Sequence, residues 1–342
     1  MKSDVINISS NGAIILGDKI TCDGFVYGYP YRVQTHIHQD HMSDFDTSKG
    51  YQNIVLSQAS RDLLIIEHDA DIACRRNIIA IPLNNYYSNE ETKVELLSNG
   101  HMLGSCQVAV HLADGMKAGY SGDFSWPLEK VINVDSLVVD TTYGSPNSIR
   151  KYSNEDACSR FVQLVSDKIK QQSLAIKAFR GTLQNALDLL DCMKGVPIIS
   201  SSKLIKVAEI YRKYGYNIGK LIDINSDTGK SIISSERHIH LFGFWDRMPY
   251  DPCDYIVINL SAFMTNFREP LFEFSPKAYR ISLCNHADFN GTLEYVEATG
   301  AREVITDNSR GGHAVELAVE IKRRLNLSAR PSEQIVSMNW GE

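Results

Sequence analysis

The sequence predicts an α/β protein in which one α/β domain is inserted into another that is richer in sheet. Two observations predict it. Residues 1–144 read as short strands separated by turn residues, and that style returns beyond residue 276. Between them, helical and strand-like stretches alternate, as in a parallel α/β layer. The expected boundaries are therefore 1–144 with 276–342 for the outer domain and 145–275 for the insertion. A chain of 342 residues, 43% of them hydrophobic, is ample for cores of that size.

Each element has its own signal. Ala13–Leu16, Lys19–Cys22, Arg32–Thr35, Ile54–Ser57, Ile78–Ile81, Val94–Leu97, Cys106–Leu112, Lys117–Ser121 and Leu137–Asp140 are brief apolar runs, mostly bounded by Gly, Asp or Asn, and read as strands. Ser60–Ile66 reads as a helix. In the insertion, Asn154–Gln171, Thr182–Met193 (capped by Thr182) and Lys203–Tyr214 are the predicted helices. Ser173–Ala178, Val196–Ser200, His238–Phe242 and Tyr255–Leu260 are its strands. Strands at Ala278–Leu283 and Glu303–Thr306 and a helix over His313–Leu325 complete the chain.

Charge and cysteine usage narrow the class. The net charge of −6 excludes a uniformly basic nucleic-acid coat but leaves room for a local basic groove. The insertion has 17 Lys and Arg against 14 Asp and Glu, so it carries +3 while the remainder carries −9. Seven scattered cysteines, odd in number and without a C-x-x-C pair, read as reduced thiols of a cytoplasmic protein. No leader-like apolar segment follows the first residues and no run of 18 apolar residues occurs, so neither secretion nor membrane contact is expected.

The segment Thr35-His36-Ile37-His38-Gln39-Asp40-His41 concentrates the chemistry. It holds four potential metal ligands in six positions directly after a predicted strand. Imidazole and carboxylate without thiolate suit Zn²⁺ or Mn²⁺. Two histidines two apart on extended backbone point the same way, so His36 and His38 can grip one ion. The turn that follows can direct Asp40 and His41 to a second.

His36-x-His38-x-Asp40-His41 resembles the signature of the metallo-β-lactamase fold superfamily. Further motifs follow in the family's order. Cys22-Asp23-Gly24 resembles the acid that buttresses the metal loop. Gly100-His101-Met102-Leu103-Gly104-Ser105 resembles the third metal motif, with His101 as ligand, and Ser121-Gly122-Asp123 the fourth, with Asp123 bridging both ions. The longer run Gly100–Val108 is similar to the β-CASP branch, the nucleases that include Artemis-like enzymes, RNase J and the mRNA 3′-end cleavage factor. Val139-Asp140-Thr141-Thr142-Tyr143-Gly144 resembles that branch's motif A, with Asp140 as its acid, and Ser282–Phe289 its motif B, with His286 as its histidine. The resemblance covers essentially the whole chain and implies a metallo-β-lactamase αββα sandwich carrying an inserted α/β β-CASP domain. At motif C the chain departs from the pattern: Ile305-Thr306-Asp307-Asn308-Ser309-Arg310-Gly311-Gly312-His313 offers Asp307 or His313 where many relatives have a metal-binding histidine.

The resemblance implies a hydrolase with two divalent ions that cuts phosphodiester bonds of single-stranded DNA or RNA from the 5′ end by a metal-bound hydroxide. DNA repair and RNA processing are the expected settings. Asp40 or Asp123 would orient the attacking oxygen. His286, oriented by Asp140, would protonate the leaving alkoxide. Arg180, at the start of a helix, and the Gly-rich turn with Ser309 and Arg310 are candidates to bind substrate phosphate, though Arg180-Gly181-Thr182 also reads as a plain helix cap. Lys203, Lys206, Arg212, Lys213 and Lys220, interleaved with Tyr211, Tyr214 and Tyr216, read either as a basic track for bases and phosphates or as a solvated face over core aromatics. The competing functional reading is a metallo-hydrolase of a small ester, thioester or lactam, which the metal motifs alone would permit.

Overall fold

The computed structural model describes residues 5–67, 70–90, 92–178, 181–193, 195–243, 246, 254–264 and 267–333. It is a mixed α/β structure with three sheets and, among the described residues, eight α-helices. The chain divides into two compact units, residues 1–149 with 286–342 and residues 150–285. The sequence placed the return to the outer domain at 276. The strand Ala278–Ser282 instead pairs within the sheet of the second unit.

The first unit begins with a six-stranded sheet. β1 (Ile6–Ile8), β2 (Ile14–Leu16) and β3 (Ile20–Cys22) are antiparallel, and β4 (Tyr31–Gln34), β5 (Asn53–Ser57) and β6 (Ile78–Ile81) continue it in parallel. A 3₁₀ turn (Gln39–His41) and α1 (Phe45–Tyr51) lie between β4 and β5, and α2 (Gln58–Glu67) follows β5. The second sheet starts with the antiparallel strands β7 (Asn85–Ser88), β8 (Lys93–Ser98), β9 (Cys106–His111) and β10 (Lys117–Tyr120). β11 (Ser136–Val139) then pairs with β10 in parallel.

The second unit follows. α3 (Asn154–Lys168), β12 (Leu174–Ala178), α4 (Thr182–Leu190), β13 (Ile198–Ser200), α5 (Ser202–Lys213), β14 (Leu221–Asp223), α6 (Asp227–Ser235), β15 (Ile239–Gly243), β16 (Ile256–Ser261), β17 (Leu271–Ser275) and β18 (Ala278–Ser282) form a seven-stranded sheet in the order β14-β13-β15-β12-β16-β18-β17 with its helices. Only the edge strand β17 is antiparallel to its neighbour. The chain then returns to the first unit. There α7 (Phe289–Ala298), β19 (Glu303–Thr306), α8 (Ala314–Leu325) and β20 (Ser328–Pro331) complete the second sheet in parallel with β11.

The second sheet has two buried faces, and its sequence says why. In β9, Cys106, Val108 and Val110 join Ile14, Leu16, Val33 and Val55 in a core shared with the first sheet. The intervening Ala109 joins Leu293 and Val296 of α7 and Leu317 and Ile321 of α8 in a core on the other side. A strand buried on both faces carries consecutive apolar residues, as Val108-Ala109-Val110 does here. α1 and α2 pack on the first sheet, so the unit is layered helix, sheet, sheet, helix.

Helix starts follow local chemistry. Ser153 caps α3 through a capping box: its Oγ accepts from Asp156 N, and its own N–H donates to the Asp156 carboxylate at 2.9 Å. α4 departs from expectation, because its cap is Gly181, at φ 77°, and Thr182 is its first helical residue. Several elements carried too weak a sequence signal to be predicted. β1, β14, β17 and β20 are three to five residues long. α7 was masked by a stretch that reads as strand and turn.

One stability prediction comes from β15. Burial, and then the neighbouring His238, hold His240 down to about pKa 4. Unfolding returns it to about 6.5, so the unfolded chain binds more protons between those values. The stabilisation is complete above about pH 6.5 and is lost as pH falls to about 4, by about 3 kcal/mol at most. Urea unfolding of His240→Phe, followed by circular dichroism, should show a shallower fall of midpoint over that interval than the parent protein.

Candidate metal centre

All the predicted metal ligands lie in the first unit. Asp23 sits just after β3, fully buried, with a left-handed backbone (φ 54°). Its Oδ1 accepts from Thr35 N at 2.8 Å and Gln34 Nε2 at 3.2 Å, and its Oδ2 from Thr35 Oγ1 at 2.5 Å. The same Oδ2 lies 2.7 Å from His41 Nδ1. Arg32 underpins the loop from beneath: its guanidinium donates to His41 O at 3.0 Å, to Ser43 O at 2.7 Å and to Ser48 Oγ at 3.0 Å. Gln34 Nε2 adds bonds to the carbonyls of His36 and His41. The histidine loop is thus fixed by its own strand, β4, and by one buried acid.

Two glycines bring in the remaining side chains. Gly104 (φ 82°) lets the loop carrying His101 close onto α2; a Cβ there would come within 2.6 Å of Ser60 N, and Gly104 O accepts from Ser57 Oγ and Ser60 Oγ. Gly122 (φ 56°) turns the chain after β10 toward the centre; a Cβ there would lie 2.9 Å from Cys106 O.

The result is convergence. One ligand atom from each of His36, His38, His101 and Asp123 falls within a 4.8 Å span, and a second set, Asp40, His41 and Asp123, does the same. Asp123 belongs to both, with Oδ2 3.7 Å from His36 Nε2 and from His101 Nε2, and Oδ1 3.1 Å from His41 Nε2. His38 Nδ1 and His101 Nε2 face each other at 3.0 Å.

The residues fit metal ions by a direct test. The Nε2 atoms of His36 and His38 are buried without a hydrogen-bond partner, and that of His41 has the Asp123 carboxylate at 3.1 Å. Orphaned buried polar nitrogens are costly unless something satisfies them. A cation beside His36 Nε2, His41 Nε2 and the Asp123 carboxylate they both face would satisfy such atoms. The electrostatics agree. Burial, with His41 and His38 nearby, holds His36 well below the ordinary histidine pKa, so its lone pair is free to donate. Burial opposes charge on His41, but Asp123 and Asp40 outweigh it and raise its pKa. Against the opposing effect of burial, His41 also holds Asp123 well below the carboxylate range.

A third group adjoins these. Asp123, Asp140 and His286 also bring ligand-type atoms within 4.8 Å. His286 is buried, with Nδ1 3.3 Å from Asp140 Oδ2 and its ring 4.6 Å from that of His101. Asp140 Oδ1 accepts from Thr142 N and Thr142 Oγ1. Burial disfavours the charged imidazolium, but the Asp140 hydrogen bond and the nearby Asp123 raise the His286 pKa above its usual value.

Motif C behaves differently from expectation. Neither Asp307 nor His313 joins any of these groups among the described residues. Asp307 is buried and its carboxylate is engaged: Oδ1 accepts from Ser309 N and Oγ, and Oδ2 accepts from Arg310 at 2.7 Å. His313 is a half-exposed residue at the start of α8, 3.4 Å from Glu316. Ser309, expected to bind substrate, is buried too, and Arg310, expected to do the same, is partly buried. Arg310 spends its other terminal nitrogen on Gly12 O at 2.9 Å, tying the turn to the β1–β2 hairpin. The segment is an internal clamp because a buried carboxylate needs a partner and Arg310, three residues on, supplies it. Arg180 lies outside the described residues. The residues that sequence reasoning missed are Arg32, Gln34 and Thr35. A buried arginine among strand residues was the available signal.

No protein-family profile matches the chain. An uncharacterized protein in the lig 3′ region of Acidianus ambivalens is 35% identical over 130 residues, which span 37% of this chain and 91% of that protein. The chain belongs to the family of this Acidianus protein. An RNase J-like protein of Methanocaldococcus jannaschii is 24% identical across 53% of this chain and 49% of its own length, so the chain spans about half of that relative. A crystal structure of a protein of unknown function from Enterococcus faecalis V583 matches with a TM-score of 0.62 over 89% of this chain and 79% of that one, at 12% identity, a likeness of fold alone.

Two outcomes test the anatomy of the centre. Asp23→Ala removes the carboxylate that holds His41 and the loop and that itself lies within reach of His36 and His41; metal affinity measured by competition with a chelator should fall about 10- to 100-fold. Arg310→Met strands the buried Asp307 carboxylate and should cost about 3–5 kcal/mol in urea unfolding while leaving metal content per folded molecule unchanged.

Proposed function

We propose that the chain is a metal-dependent nuclease of the metallo-β-lactamase fold, β-CASP branch, hydrolysing phosphodiester bonds of single-stranded DNA or RNA from the 5′ end. The observation that carries the reading is the meeting of His36, His38, His101 and Asp123 around buried, unpartnered imidazole nitrogens. The similarity to an RNase J-like protein supports the choice of substrate. The helix–sheet–sheet–helix layering of the first unit, with a separate α/β unit entering after Asp140, supports the fold assignment.

His36, His38, His101 and Asp123 would hold one ion, and Asp40, His41 and Asp123 a second. Bound there, Zn²⁺ or Mn²⁺ would supply water acidified to a pKa of about 7 and positive charge against the phosphoryl oxygens. The chain's own groups do the rest. The Asp40 or Asp123 carboxylate accepts a hydrogen bond from the attacking water and aims it at phosphorus. As the bond from phosphorus to the leaving oxygen breaks, the alkoxide takes a proton from His286. Asp140, accepting from His286 Nδ1–H, keeps the ring charged and places its Nε2–H toward the leaving oxygen. Thr142 fixes the Asp140 carboxylate in turn.

The test compares 5′-phosphorylated single-stranded DNA and RNA with nitrocefin and a thioester, each with Mn²⁺ or Zn²⁺ and with chelator. Metal-dependent cleavage of nucleic acid is expected. Turnover of the small substrates without cleavage of nucleic acid would replace the reading with a small-molecule hydrolase. His286→Ala should lose about 10²–10⁴-fold in rate on a phosphodiester with a poor leaving group and much less on a nitrophenyl ester. An equal loss on both would remove the proton-donor role.

A further inference from the structure

The sheet of the second unit has one covered face and one that opens toward its β17 edge. Leu174, Ile176, Ile256, Ile258, Tyr279 and Ile281 are buried on the covered face, where Lys168 of α3 lies over the Tyr279 ring. The opposite face is set by register. Phe272 pairs with Arg280, Arg280 with Asn259, Asn259 with Lys177, and Lys177 with Phe242. Cross-strand partners share a face, so these five side chains form one row across β17, β18, β16, β12 and β15. The row grades from buried to open. Phe242 is buried, Lys177 and Asn259 are half-buried, and Arg280 and Phe272 are exposed. Phe274, two residues from Phe272, stacks edge-on with it at 4.7 Å and receives the Arg280 guanidinium over its ring at 5.2 Å.

Two phenyl rings exposed by 48% and 55% on an edge strand are unusual, because such rings are normally buried and such edges are normally blunted with charge. The charged strand residues on this face are Lys177 and Arg280, with no carboxylate among the described residues. Glu273 pairs with Tyr279 and so belongs to the covered face. The tyrosines singled out on α5 do not offer an equivalent surface: Tyr211 is buried against Tyr216, and Arg212 is committed to the carbonyls of Ile218 and Gly219.

We infer that this open face is a binding platform for single-stranded nucleic acid, with bases stacked on Phe272 and Phe274 and phosphate held by Arg280. The occupant follows from the chemistry of the row. Flat apolar rings beside the Arg280 guanidinium, with no carboxylate among the described strand residues of this face, match the alternation of base and phosphate along a single strand, and stacking of this kind is tolerant of sequence. A second copy of the chain pairing edge to edge would be favoured by the rings but not by the cations. The platform takes its ligand from the nuclease reading and extends it to a surface remote in sequence from the metal motifs.

The experiment uses the full chain carrying Asp123→Ala, so that the strand is held and not cut, and a fluorescein-labelled 20-mer of dT or U followed by anisotropy. Adding Phe272→Ala and Phe274→Ala is expected to weaken binding by at least about tenfold. Phe272→Tyr with Phe274→Tyr, which keeps the stacking faces, is expected to retain it. Arg280→Gln should lower the slope of log affinity against log salt by about 0.7. Unchanged affinity in the double alanine variant overturns the platform while leaving cleavage by the unaltered protein, measured in parallel, to stand. Absence of both binding and cleavage overturns the platform and the nuclease reading together. A shift of oligomeric state in light scattering, with unchanged affinity, overturns it in favour of self-association.

Discussion

The Asp23 carboxylate is the constraint on which the centre rests. It is a fully buried anion, and it is tolerable because four donors meet it: the Thr35 backbone and hydroxyl, the Gln34 amide and the His41 ring. Each of those contacts also fixes something else. Holding Thr35 N sets the exit of β4, holding His41 Nδ1 turns its Nε2 toward Asp123, and holding Gln34 leaves that amide bonded to the carbonyls of His36 and His41. A carboxylate behind an imidazole fixes its tautomer and raises its basicity, the arrangement that metal-binding histidines commonly have. The geometry of the histidine loop is therefore inherited from one acid and the strand beside it.

Much of this was legible in the chain. His36, His38, Asp40 and His41 stand out because four ligand-type residues share one turn, whereas His101 and Asp123 were found through the motifs they resemble. Asp140 and His286 were found by resemblance, and the fold brings them to 3.3 Å across 146 positions of sequence. Motif C was not legible. Asp307 looks like a ligand in sequence because aspartate is one by chemistry. Only the fold reveals that Arg310 and Ser309 have already taken its oxygens. The supporting residues Arg32 and Gln34 sit at alternate positions of a strand, where polarity reads as solvent-facing until the strand proves to be buried throughout.

The elements predicted well were those buried on both faces, where consecutive apolar residues such as Val108-Ala109-Val110 and Val304-Ile305 leave little choice. β9 and β19 lie within a residue of expectation. Those missed were short edges and helices whose signal is weak outside their packing, β1, β14 and β20 among them. The boundary between units was misplaced for a related reason. β18 resembles any other strand locally, and its membership of the third sheet is decided by pairing with β16, a long-range choice that no local pattern carries.

The two units differ in the side chains they gather. Imidazoles and carboxylates gather in the first, and Phe272, Phe274 and Arg280 lie exposed on the sheet of the second. The central claim, that the histidine cluster is a cation site, is tested most directly by an anomalous difference map from crystals grown with Zn²⁺ or Mn²⁺. The account predicts a strong peak at bonding distance, about 2.0–2.2 Å, from His36, His38, His101 and Asp123. A map with no peak there, and His38 simply hydrogen-bonded to His101, would contradict it.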